Sequence, residues 1–127
     1  MSDTTTRGVR ITVQPSFLPQ QSDPRGGVWM FAYRVQIENH GVETVQLVSR
    51  HWVITDATGR VEEVRGPGVV GETPVLAPGE KFHYVSGCPL PTPMGTMHGT
   101  YQMVTRAGDK FDAVIAPFTL AEPFSVN

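Results

Sequence analysis

Gly66, Gly68 and Gly71, in the stretch RGPGVVGE, spell G-x-G-x-x-G, a pattern used elsewhere to bind dinucleotides. In that chemistry the glycines let the backbone approach a diphosphate, which rests on the free amides at a helix N-terminus. The pattern works only between a strand and a helix. A short strand around 61–64 precedes it here, but ETPVLAPGE follows, and Pro74 and Pro78 with β-branched neighbours do not make a helix. The other phosphate loop requires Gly-Lys-Ser/Thr after four spacer residues, and that is absent. A narrower anion chemistry remains, because successive amides in a glycine-rich turn can form a concave nest without a helix. Its candidate residues are Arg65, Gly66, Gly68, Val69, Val70 and Gly71, with Lys81 close enough in sequence to add charge. The competing reading is structural. Gly66 and Gly68 adopt conformations that a Cβ forbids, Pro67 stiffens the turn, and Val69 and Val70 pack at the end of a sheet.

The other reactive residue types are dispersed. His40, His51, His83 and His98 include no pair at the two- to five-residue spacing common in metal sites. No metal ligand is assigned, and a divalent-cation site would need histidines gathered by tertiary structure. Met94, Met97 and Met103 suit core gaps better than soft-metal ligation. Cys88 has no basic neighbour within five residues to activate a thiolate. No serine lies in a G-x-S-x-G elbow. Glu62 and Glu63 are adjacent on a strand, so they point to opposite faces and do not act as a pair. Glu72 and Glu80 flank the glycine loop without an assigned role. The expectation is a non-enzymatic protein with no catalytic residue and no cofactor.

The elements that must position these residues are strands. Val9, Ile11 and Val13 alternate with polar residues until Pro15 and Pro19, which are expected to end the strand. Trp29, Phe31, Tyr33, Val35 and Ile37 define one face of the clearest strand. Residues 43–55 change phase: Val45 and Leu47 share one face, whereas Val48, Trp52 and Ile54 have the opposite parity. A bulge or sheet crossover is therefore predicted at 47–49. Strands are predicted over 61–64, 81–86, 98–106 and 110–116, with turns at 56–59, 77–80 and 107–109. The proline-rich stretch 87–95 is expected to be irregular, and Pro117 is expected to kink or end its strand. No helical periodicity extends over three turns. Seven or eight strands imply an antiparallel β-sandwich or barrel, and the lack of a cysteine pair favours a fibronectin type III-like form over the antibody type. The expected organisation is a flexible tail at 1–8, one domain at 9–121 and a C-terminal tail at 122–127.

Bulk properties restrict the partners. The 127 residues carry ten Lys and Arg against twelve Asp and Glu, a balance that favours neither nucleic acid nor an anionic membrane. Eight of the ten cations are arginine, which suits directed bonds to carboxylate or phosphate. The single cysteine excludes an intrachain disulfide, and MSDTTTRG has no apolar targeting core. The expected location is cytoplasmic. No apolar run approaches the roughly 20 residues that a spanning helix needs, so no membrane insertion is expected.

Three stretches, SRHWVITDATG (49–59), GPGVVGETPVLAPGEKFHYVSGCPL (66–90) and GTMHGTYQM (95–103), together resemble the ApaG family over nearly the whole chain. The resemblance implies an immunoglobulin-like or fibronectin type III-like sandwich of non-enzymatic character. Bacterial members of the family are named for a gene neighbourhood shared with a diadenosine tetraphosphate hydrolase, and are linked by name to magnesium and cobalt efflux. Related domains occur in an F-box subunit of a ubiquitin ligase and in a DNA polymerase delta-interacting protein. These settings imply a protein-binding module. Its modes would be strand addition at an exposed edge or docking through end loops, and edge pairing would also allow a homodimer. A chain without a spanning segment would be linked to efflux only indirectly, through a transporter or regulator. The alternatives are an anion, pyrophosphate or diadenosine polyphosphate at the glycine loop, and a divalent cation.

Overall fold

The computed structural model describes residues 1–123. In chain order the strands are β1 Ser2–Thr6, β2 Val9–Phe17, β3 Trp29–Asn39, β4 Val45–Asp56, β5 Val61–Pro67, β6 Val75–Leu76, β7 Lys81–Leu90, β8 Met94–Thr105 and β9 Lys110–Ala121. Among the described residues the only helical pieces are single 3-10 turns at Pro19–Gln21 and Pro24–Gly26. One sheet has the order β1-β2-β3-β7. The other has the order β5-β4-β8-β9, with β6 also paired to β4. All the pairings are antiparallel, and the two sheets form a β-sandwich.

Alternation dictates the core. Val9, Ile11 and Val13 of β2 and Phe31, Tyr33, Val35 and Ile37 of β3 face Leu47, Trp52, Tyr101, Met103 and Ile115 of the other sheet, all buried. Trp52 meets Tyr33, Tyr101 and Phe118 edge-on, at centroid distances of 5.3, 6.2 and 5.9 Å. Such edge-to-face contacts add to the stabilisation from burial. The Tyr84 and Tyr101 hydroxyls share a hydrogen bond that joins the two sheets through the core.

The predicted phase change is a bulge. Leu47 pairs with Met103 and Ser49 with Gln102, which leaves Val48 as the extra residue. After it, the inward face of β4 passes from odd to even positions. β9 does the same where its pairing shifts between Met97 and Gly99, placing Pro117 in the irregularity and Phe118 and Leu120 in the core.

Four expectations are corrected. Residues 1–8 are not a free tail, because Ser2–Thr6 pairs with Val9–Val13. Their threonines favour extended backbone but carry no apolar alternation to announce it. Pro15 does not end β2, which continues to Phe17. β1 reaches no farther along β2 than Val13, so Pro15 lies where β2 has become an edge and its missing amide hydrogen costs no ladder bond. The stretch 87–95 is not irregular throughout: β7 runs to Leu90 and β8 starts at Met94. Pro89 is tolerated because β7 is an edge strand. The strand count is nine, with β1 and the two-residue β6 unanticipated. Of the predicted tail 122–127, Glu122 donates its amide to Pro93 O at 2.9 Å, and residues 124–127 lie outside the described residues.

The two sides of the sandwich differ. On one side β1 and β2 pack against β9, and the Val114 amide donates to Thr6 Oγ1 at 3.1 Å. On the other side the edge strands β5 and β7 flank a gap between the sheets.

Candidate functional site

The glycine loop is a hairpin. Val69 and Glu72 exchange both backbone bonds, at 2.8 and 2.9 Å, across the two residues Val70 and Gly71. Both central residues have positive φ, 44° for Val70 and 80° for Gly71, as a type I′ turn requires. Gly71 meets this demand without strain, whereas a β-branched valine at such a φ is an outlier. Gly68 also has positive φ, and a Cβ there would strike the Glu72 carbonyl. Its amide donates to Val48 O at 2.8 Å, fastening the loop to the bulge. As expected, no helix follows Gly71; the chain runs extended into β6.

Gly66 answers to a different residue. A Cβ at this position would lie 2.9 Å from Nη2 and 3.0 Å from Cζ of Arg50, so the arginine head rests where the side chain of residue 66 would be. Arg50 Nη1 donates to the carbonyls of Pro67 and Gly68, each at 2.9 Å. The cation that meets the loop is therefore Arg50. Arg65 is exposed, 3.7 Å from Glu63, and Lys81 lies 3.7 Å from Glu38 in the other sheet. Val69 is buried, whereas Val70 is largely exposed.

The bulge explains Arg50. Beyond Val48 the inward positions of β4 are Arg50, Trp52 and Ile54, and all three line a cleft between the sheets. The cleft has a volume of about 280 Å³ toward Arg60 and about 240 Å³ around Arg50. Its Arg50 end is walled by Tyr33, Trp52, Val64 and Ser86, and Ile54, Glu62 and Pro89 continue into the other end. At that far end Asp56 turns back on its own loop, accepting from the Thr58 amide at 2.8 Å and its hydroxyl at 2.6 Å. These bonds, the hydroxyl's first, hold the Asp56 carboxyl below the usual range.

The thiol and the phenols in and beside the cleft are held in their protonated forms. Burial, with the Glu62 carboxylate as a smaller cause, pushes the Cys88 thiol up to about 11, so at neutral pH it is a packed thiol and not a nucleophile. Burial likewise raises the phenols of Tyr33, Tyr84 and Tyr101. The Trp52 indole nitrogen, buried beside the cleft, has no hydrogen-bond partner.

The remaining sequence candidates stay apart. His51 pairs with Glu63 at 2.7 Å, and His40 pairs with Glu38 at 2.8 Å on the other sheet. Among the described residues no three His, Cys, Asp or Glu side chains gather in a metal-binding group. Met97 and Met103 fill the core, while Met94 is exposed. No described helix is long and apolar enough to cross a membrane. The sequence reasoning missed Arg50, although it shares the parity of Trp52 and Ile54.

The comparisons with known proteins agree with one another. The family model described as "ApaG domain" matches residues 19–105. A protein ApaG of Rhodospirillum centenum is 59% identical over 118 residues, covering 93% of this chain and 91% of that protein. One from Beijerinckia indica is 55% identical over 125 residues, covering 98% and 96%. The crystal structure of the putative ApaA protein from Bordetella pertussis superimposes with a TM-score of 0.89 at 54% identity, covering 92% of this chain and 95% of that one.

Proposed function

Since the chain belongs to the ApaG family, we propose that it is a non-enzymatic binding module whose ligand is a protein segment held at the open side of the sandwich, between β5 and β7. The observation that carries this reading is the asymmetry of the two sides. One is closed by β1 and β2 on β9, and the other exposes two edge strands flanking a cleft. An edge strand offers unpaired backbone groups that an extended chain satisfies, and the cleft accepts its alternate side chains. The thiol in the cleft is too weak an acid to supply a thiolate at neutral pH, and none of the four histidines lines that space. The link to magnesium and cobalt tolerance is then indirect, exerted through the bound protein, and a cytoplasmic setting suits the single buried thiol.

Glu62→Trp tests the reading. Glu62 is exposed on an edge strand, so the variant folds while its indole plugs the shared middle of the cleft. A partner captured by the wild-type protein is lost from the plugged variant, and equal recovery from both sinks the proposal. If two copies pair through these edges, the plug also dissociates the dimer in sedimentation.

The glycine loop supports a second, narrower reading. The amides of Val70 and Gly71 have no protein acceptor among the described residues, and Arg50 supplies nearby charge. A small anion or the pyrophosphate of a diadenosine polyphosphate would bind there. Amide resonances of residues 66–71 that stay fixed at millimolar diadenosine tetraphosphate dispose of it.

A further inference from the structure

We propose that the Arg50 end of the cleft is a carboxylate pocket that selects an acidic side chain on the extended segment lying between β5 and β7. The inference rests on the protein-binding reading above and says what that segment must carry. Arg50 uses only Nη1 within the protein, on the carbonyls of Pro67 and Gly68. Among the described residues its Nε and Nη2 have no acceptor, and no carboxylate lies within 4 Å of its head. Nε and Nη2 form the side-on fork that a carboxylate fills with two parallel bonds. Arg10 displays that use in the same molecule, with Nε 3.0 Å from Asp3 Oδ1 and Nη2 2.7 Å from Asp3 Oδ2. Arg50 has the fork without the acid.

The surroundings keep the fork oriented and unfilled. The head lies against Gly66, where no Cβ interferes, and its two carbonyl bonds fix its plane. An arginine restrained in this way loses little further freedom when it binds. Glu62, the nearest acid of the cleft wall, stands four positions along β5 from Gly66, the residue paired with Arg50. Four positions span about 13 Å of backbone, and among the described residues Glu62 makes no ion pair with Arg50. The walls between them include Trp52, Ile54, Val64 and Pro89, apolar surface that lowers the local dielectric and strengthens a charge-assisted bond. The volume around Arg50, about 240 Å³, suits a side chain or two.

Selection of a randomised heptapeptide library on the immobilised full-length protein tests this, with Glu62→Trp as the blank. The expected result is peptides enriched in Asp or Glu at one fixed position. Replacing that residue by Asn or Gln weakens binding about tenfold or more, the loss expected of a charge-assisted bidentate pair. The selected peptide shifts the Arg50 Nε–H resonance of the wild-type protein, so the conclusion does not depend on an Arg50 variant that loosens the loop. Peptides that bind the wild type but not the blank, with no acidic preference or an unshifted Arg50, overturn the carboxylate pocket and leave the protein-binding reading standing. A wild-type selection no richer than the blank overturns both.

Discussion

Replacing Val70 by asparagine should make this protein more stable. Val70 and Gly71 are the two central residues of a type I′ turn, with φ of 44° and 80°. An L-residue in the left-handed region costs about 1–2 kcal/mol, and asparagine recovers most of that through local hydrogen bonding. Against this stands the lost apolar contact. The valine is 56% exposed, so less than half of the roughly 1.5 kcal/mol available from full burial is at stake, about 0.6 kcal/mol. The net gain is about 0.5–1 kcal/mol. With an unfolding entropy near 2.1 cal/mol/K per residue, that raises Tm by about 2–4 °C. Val70→Gly relieves the same strain but adds freedom to the unfolded chain, so it should fall below asparagine. Calorimetry of the three proteins orders them. An asparagine variant that melts lower than wild type, with the glycine variant lower still, would refute the type I′ assignment and the structural account of the glycine pattern built on it.

Gly66→Ala should push the Arg50 head off the Pro67 and Gly68 carbonyls and cost about 1–3 kcal/mol, read as a lower Tm with shifts confined to residues 48–50 and 66–72. Gly99→Ala should not yield folded protein, because its Cβ would strike the His51 carbonyl inside the β4–β8 pair; a cooperative melt near the wild-type Tm would contradict that packing. Cys88 should resist iodoacetamide at pH 8 until the protein unfolds. Because its native pKa is raised to about 11, its contribution is complete below the unfolded value near 9 and is lost as pH rises between the two. Cys88→Ala should therefore flatten denaturant midpoints over that interval. At the acid end, the His40 bond and then the Gln36 bond hold Glu38 below the usual carboxylate range, so its contribution is present above the unfolded pKa and disappears as pH falls through the native one. Glu38→Gln should shrink the acid-induced drop in Tm.

The strands with clean alternation were legible in the sequence, because a buried face at period two leaves a mark in composition. The face of β3 from Phe31 to Ile37 and the parity change around Val48 both follow from apolar positions alone. What escaped had no such mark. Ser2–Thr6 is polar throughout and is held by pairing with β2, a long-range fact. Pro15 and Pro89 look like strand breakers until the sheet order shows them on edges. The glycine pattern was legible as a turn, but the partner that explains Gly66 lies sixteen positions earlier in the chain. Arg50 itself was recoverable. It has the parity of Trp52 and Ile54, and a charged residue on an inward face signals either an open edge or a waiting counter-charge. Apolar periodicity alone does not reveal it, because an inward arginine adds nothing to an apolar face.

One residue of surplus length at Val48 decides what the interior of the cleft is made of. Were the same sequence paired with β8 in an uninterrupted ladder, Val48 included, every later side chain of β4 would face the opposite way. His51 and Val53 would then enter the interior, and Trp52 would be left in water. The identity of this surface is therefore written partly in arithmetic. Deleting Val48 alone would straighten the ladder and keep the same wall, because Arg50, Trp52 and Ile54 would then follow Leu47 in regular alternation.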